Sequence, residues 1–116
     1  MMNIGVKRLL QNEPYYKNVC FIDCDIYLAN IHWVDDTWKL LSSYDIIQMF
    51  NVCLDLDFKG ETMACYHSFS YQYHHHKKLF SSGQTNYSHS GYAWCISRNA
   101  CDEMNFFFDK SIIGSG

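Results

Sequence analysis

The feature that most constrains this chain is a short apolar run, Asn18-Val19-Cys20-Phe21-Ile22, which stops abruptly at Asp23-Cys24-Asp25. The run is too short for a stable helix and is rich in strand formers, so it reads as a strand. Two carboxylates two residues apart can both reach one ligand when the chain turns at the strand end. Ligands of open α/β sheets gather beyond the carboxyl ends of strands, so this pair is expected to face a cleft.

The surrounding pattern supplies the other elements. Asn3 to Asn12 places Ile4, Val6, Leu9 and Leu10 near helical spacing after an Asn cap, and Glu13-Pro14 stops the helix. From Trp33 to Tyr44, Val34, Trp38 and Leu41 form an apolar stripe. Asp35 and Asp36 fall in its first turn, where the helix dipole favours negative charge. Tyr44 to Phe50 reads as a second strand, and strand, helix, strand in that order implies a crossover and a parallel pair. Asn51 to Gly60 is turn-like and Glu61 to Tyr71 extended, while polar Gln72 to Tyr87 is expected to be a mobile active-site loop. Gly91 to Ser97 alternates small and large residues, as a closely packed strand does, and Arg98 to Met104 resembles a short helix. The expected fold class is α/β, a mixed sheet flanked by helices, in a single domain over residues 1–116.

A formal charge of -3 gives no basic footprint for phosphate-backbone binding, which argues against a nucleic-acid partner. No apolar run approaches the roughly 18 residues of a membrane span. The N-terminus lacks the apolar region of a signal peptide, so a soluble, cytoplasmic chain is expected. The six cysteines, Cys20, Cys24, Cys53, Cys65, Cys95 and Cys101, mostly sit inside apolar runs and read as reduced, buried small hydrophobes. Cys20 and Cys24 have a spacing that zinc sites tolerate, but no second matching pair follows.

A nucleotide diphosphate arriving at Asp23 and Asp25 would meet like charges costing about 1 to 4 kcal/mol per pair at 4 Å. A cation reverses that sign. Hard divalent ions such as Mn2+ or Mg2+ take carboxylate, phosphate and water oxygens together. Two rival constellations are weaker. Consecutive His74, His75 and His76 cannot all face one ion from a strand and read as an exposed loop beside Lys77 and Lys78. Asp55 and Asp57 repeat the acidic spacing, but Lys59-Gly60 follows and a solvated loop is expected.

Several ordered segments together resemble the glycosyltransferases of the GT-A fold. They are Cys20 to Ile26 with Asn30, Trp33 and Leu40, then Tyr44 to Phe50, then His89-Ser90-Gly91-Tyr92-Ala93-Trp94 with Arg98. The resemblance spans nearly the whole chain. It implies a GT-A-like, Rossmann-like fold that transfers a sugar from a nucleoside diphosphate sugar to the hydroxyl of a glycan, protein or small-molecule acceptor. It further implies that Asp23 holds the nucleotide ribose or metal and that Asp25 coordinates the cation bridging the diphosphate. His89, Gly91 and Trp94 would line the donor or acceptor cleft, although Trp94 equally suits a core strand and His89 a backbone-satisfied loop. In this family Ile113-Gly114-Ser115-Gly116 would be followed by an acid serving as general base, so the chain is expected to be a central part of a catalytic domain. Two other classes remain open at this stage: a non-catalytic binding module that keeps part of the fold, and a metal-dependent phosphate-handling hydrolase on the same acidic strand end.

Overall fold

The computed structural model describes residues 8–9, 11–76 and 88–104. Among these residues lie two small antiparallel sheets and three helices described from end to end, a mixed α/β structure. The elements are β1 (Asn18–Ile22), α1 (Trp33–Leu41), β2 (Ile46–Gln48), β3 (Val52–Leu56), β4 (Thr62–His67), α2 (Phe69–His76), β5 (Ala93–Ser97) and α3 (Arg98–Glu103). Arg8, Leu9, Gln11 and Asn12 are helical, and the Glu13 amide closes that turn on the Leu9 carbonyl at 2.7 Å. The expected start of this helix at Asn3 and the tail after Met104 lie outside the described residues.

The main sheet has the order β1-β5-β2, with β5 antiparallel to both neighbours. The expected parallel pairing of β1 with β2 is therefore corrected: they run in the same direction, but β5 lies between them. The reason is in β5 itself. Ala93, Cys95 and Ile96 are all buried, so both faces of this strand are covered and both of its edges are paired. A strand with that burial takes the centre of a sheet, where every backbone donor and acceptor finds a partner. On one face Val19 and Ile96 meet Ala100 and Cys101 of α3, with Leu9, Tyr16 and Phe21 around them. Against β2 and β5 packs α1.

Within α1 the buried residue is Thr37, while Val34 and Trp38 of the expected apolar stripe are half exposed. The inward face is thus the Trp33-Thr37-Leu41 row, one position round from the stripe. The acidic first turn is as expected. Asp36 accepts a hydrogen bond from the Asn30 side chain at 2.9 Å and lies 3.6 Å from Lys39. That hydrogen bond foremost, and then Lys39, hold its carboxyl below the usual carboxylate value.

The second sheet corrects the reading of residues 51 to 71. Val52–Leu56 is strand rather than turn, paired with β4, and the turn begins only at Asp57. Asp57 closes it by accepting the Lys59 and Glu61 amides, each at 2.8 Å, and Gly60 supplies a φ of 83°. The extended segment ends at His67, because Ser68 caps a helix: its Oγ accepts the Tyr71 amide at 3.1 Å. Gln72 to His76 are consequently helical, and the rest of the expected loop, 77–87, lies outside the described residues.

Cys20 and Cys95 form a disulfide across β1 and β5, correcting the expectation of six reduced thiols. They are register partners with Cα atoms 4.1 Å apart, the close spacing of a non-hydrogen-bonded antiparallel pair. Cys20 is therefore unavailable as a zinc ligand beside Cys24. Cys24 and Cys65 are exposed free thiols, so the expected burial holds for Cys95 and Cys101 and in part for Cys53.

Ser97 ends β5 and caps α3, accepting the Ala100 amide at 3.2 Å and donating to Asp45 at 3.0 Å. Ser97→Ala is expected to cost about 1 kcal/mol, the usual loss for an N-cap. Urea unfolding reads this as a lower midpoint with an unchanged slope. An unmoved midpoint would show that the cap contributes nothing.

Candidate functional site

One end of the main sheet gathers the residues of interest. Asp23 follows β1 directly, and its amide donates to the Tyr92 carbonyl at 2.8 Å, carrying the β1–β5 ladder one pair past the strands. Cys24 and Asp25 then turn, leaving both carboxylates exposed at the carboxyl end of β1. Beside them β5 enters through Gly91 and Tyr92. The adjoining end of β2 is Gln48, whose register partner on β5 is Trp94. The candidate residues Asp23, Asp25, His89, Gly91 and Trp94 thus share this end of the sheet.

Gln48 ties the end together. Its Nε2 donates to the carbonyls of His89 at 2.9 Å and Gly91 at 3.4 Å, and its Oε1 accepts the Ser70 amide at 3.0 Å. The Phe69 amide donates to the His89 carbonyl at 3.1 Å. Together with Ser68 Oγ, these bonds satisfy the first amides of α2, which have no partner inside the helix. An almost unamphipathic helix is therefore seated at the sheet end by its terminus rather than by an apolar face.

His89 is held on several sides. Its backbone amide donates to the His67 carbonyl at 2.8 Å, and its Nδ1 accepts the Gly91 amide at 3.1 Å. With Nδ1 accepting, the neutral ring carries its proton on Nε2 and presents a donor there. A Cβ on Gly91 would come within 3.1 Å of His89 Cε1, which accounts for glycine at this position. Trp94 is half buried and donates its Nε1 hydrogen to the Ser90 carbonyl at 2.7 Å, so the indole is pinned to the segment that leads into β5.

Tyr92, expected only as part of the Gly91 to Trp94 segment along the cleft, joins this end of the sheet to the hairpin through its side chain. It adopts φ 71°, a left-handed conformation costing a non-glycine residue on the order of 1–2 kcal/mol. Its ring stacks on His89 at 3.7 Å and nearly parallel, and Phe50 lies 5.7 Å away. The phenol donates to Asp55 Oδ1 at 3.1 Å. Burial, then hydrogen bonding with Cys53 and Asp55, pushes the phenol far above its usual value and keeps it a neutral donor. Burial likewise raises the Cys53 thiol, which lies 3.8 Å from the same carboxylate oxygen. Asp55 is therefore no solvated loop residue, since the hairpin delivers it to Tyr92. The signal available in the sequence was its place in an alternating Val52-Cys53-Leu54-Asp55-Leu56 run.

His74, His75 and His76 occupy the exposed last turn of α2, not a loop. Tyr71 stacks on His67 at 4.6 Å and meets the tilted ring of His75 at 4.2 Å. Lys77 and Lys78 lie outside the described residues. Among the described residues, no group of three or more His, Cys, Asp or Glu side chains is gathered so as to hold a metal. Asp23 and Asp25 are a pair of hard oxygen donors, which suits an ion that completes its shell from phosphate and water. Among the described residues no helix is long and apolar enough to cross a membrane. No known family matches the chain, and neither a curated protein nor a solved structure matches it.

Proposed function

We propose that the chain is the donor-binding part of a metal-dependent glycosyltransferase of GT-A-like fold, acting on a nucleoside diphosphate sugar and an acceptor hydroxyl. The observation that carries the proposal is the placement of Asp23 and Asp25, exposed just beyond the carboxyl end of β1 and beside the Gly91-Tyr92 entry to β5. Asp25 and Asp23 would hold Mn2+ or Mg2+ through their carboxylates. The ion's chemistry would be to neutralise the diphosphate and the charge that grows on it as it departs. The chain's own contribution is placement. The Asp23 amide bond to Tyr92 fixes where the acidic turn leaves the sheet, and His89 offers an Nε2 donor to a phosphate or sugar oxygen. Trp94 would line the donor or acceptor cleft. The general base is assigned to no described residue, and a cytoplasmic site of action belongs to the same proposal.

Calorimetry with a nucleoside diphosphate tests this. Binding is expected only with manganese present, and Asp25→Asn is expected to weaken it about tenfold or more, since even outer-shell partners of a metal are worth that much. Equal binding by Asp25→Asn would remove Asp25 from the site. A folded chain with no metal-dependent binding would point to the non-catalytic module, and phosphate release without an acceptor to the hydrolase.

A further inference from the structure

We infer that Tyr92 is a positioning residue for the acidic turn, a strained strut that links Asp23 and His89 to the β3–β4 hairpin through Asp55. The inference rests on the metal-diphosphate reading of Asp23 and Asp25. Three independent contacts converge on this one side chain and its peptide. Its carbonyl accepts the Asp23 amide at 2.8 Å, at the point where the chain turns toward Asp25. Its ring lies flat against His89 at 3.7 Å, fixing the plane in which that imidazole presents Nε2. Its hydroxyl reaches Asp55 at 3.1 Å, on a strand of the other sheet.

The φ of 71° makes the arrangement informative. Asn or Gly would take this conformation at lower cost, so a tyrosine here must be retained by what its side chain does. Without strain the peptide would rotate, and the carbonyl facing Asp23 would rotate with it. The ring and the hydroxyl oppose that rotation from two directions, one from His89 ahead of β5 and one from the hairpin. Residues locked by a supporting shell hold binding groups more tightly than loops left to themselves, and a carboxylate displaced by about 1 Å can lose up to a hundredfold in effect. The second acidic pair thus acts at the site without touching a ligand: Asp55 anchors Tyr92, and Asp57 closes the hairpin turn that carries Asp55.

A double-mutant cycle on the whole chain tests the strut. The probes are uridine diphosphate with manganese and, separately, inorganic pyrophosphate with manganese, each titrated by calorimetry beside a thermal melt. Tyr92→Phe keeps the ring and removes the anchor, while Asp55→Ala removes the anchor from the other side. Each is expected to weaken binding about three- to tenfold, the range of one hydrogen bond, and the double variant no further than either alone. Tyr92→Gly relaxes the backbone and is expected to weaken binding more than Tyr92→Phe. If Asp25→Asn loses binding while both single variants bind as the unsubstituted chain does, the strut is wrong and the metal site stands. Additive losses, or losses matched by collapse of the melt, also overturn it, because a merely structural tyrosine would produce them. Failure of the unsubstituted chain to bind either probe with manganese ends both readings.

Discussion

Reduction of the Cys20–Cys95 bond is expected to lower the stability of the chain by about 4 kcal/mol. The bond closes a loop with a sequence separation of 75 residues, and in the chain-entropy account a loop of that length restricts the unfolded ensemble by roughly that amount. It joins an edge strand to the central strand of a sheet whose buried core is small. Without it, closing β1 on β5 must be met by the backbone ladder and the contacts around Val19 and Ile96. The position also matters to the site, because the register runs from Cys20–Cys95 through Ile22–Ala93 to the Asp23–Tyr92 bond. Denaturant unfolding with and without reductant measures the effect, and Cys20→Ala with Cys95→Ala should reproduce the reduced midpoint. Alkylation of both thiols in the native, unreduced chain would show that the bond is not formed. Disulfides persist chiefly in oxidising compartments, so the same thiol count on protein from its native source also decides against or for a cytoplasmic location.

Gln48→Leu is expected to cost about 2 kcal/mol while keeping the size of the side chain. The substitution strands the amide of Ser70 and takes one donor each from the carbonyls of His89 and Gly91, which keep the amides of Phe69 and Ala93, and a polar group left unpaired away from water costs about 1–3 kcal/mol. The consequence is local as well as global. Two parts of the molecule depend on this one amide: the turn before β5 and the first turn of α2. Hydrogen exchange at Ser70 and Phe69 should accelerate more than exchange at Val19 or Ile96. Gln48→Glu is a sharper comparison, since it keeps the acceptor for Ser70 but sets a carboxylate against two carbonyls. A Gln48→Leu chain within about 0.5 kcal/mol of the original would mean that α2 is held by something else.

Local pattern was legible wherever an element answers to its own residues. Asn18 to Ile22 reads as a strand and is one, because an apolar run of strand formers ended by two carboxylates has few other uses. The short helix after Ser97 follows from local residues too, as does the acidic first turn of α1, whereas the Ser97 cap was not read from the sequence. Elements failed to read where the deciding partner is remote. Val52 to Leu56 looks like turn until β4 pairs with it, and Phe69 to His76 carries almost no apolar face, so only its satisfied terminal amides explain it as a helix. The stripe on α1 was misplaced for a related reason. Val34 and Trp38 are more apolar than Thr37, but burial follows from which row faces β2 and β5.

The candidate site divides in the same way. The sequence by itself determined that two carboxylates end a strand and that a glycine-bearing segment precedes another, since both are matters of neighbouring residues. Tertiary structure alone decided that β5 enters between β1 and β2, that Cys20 meets Cys95, and that Asp55 reaches Tyr92 from another sheet. Those contacts join residues 37 to 79 positions apart. Their energy comes from burial and hydrogen bonds that exist only once the chain has closed, and no local periodicity encodes them.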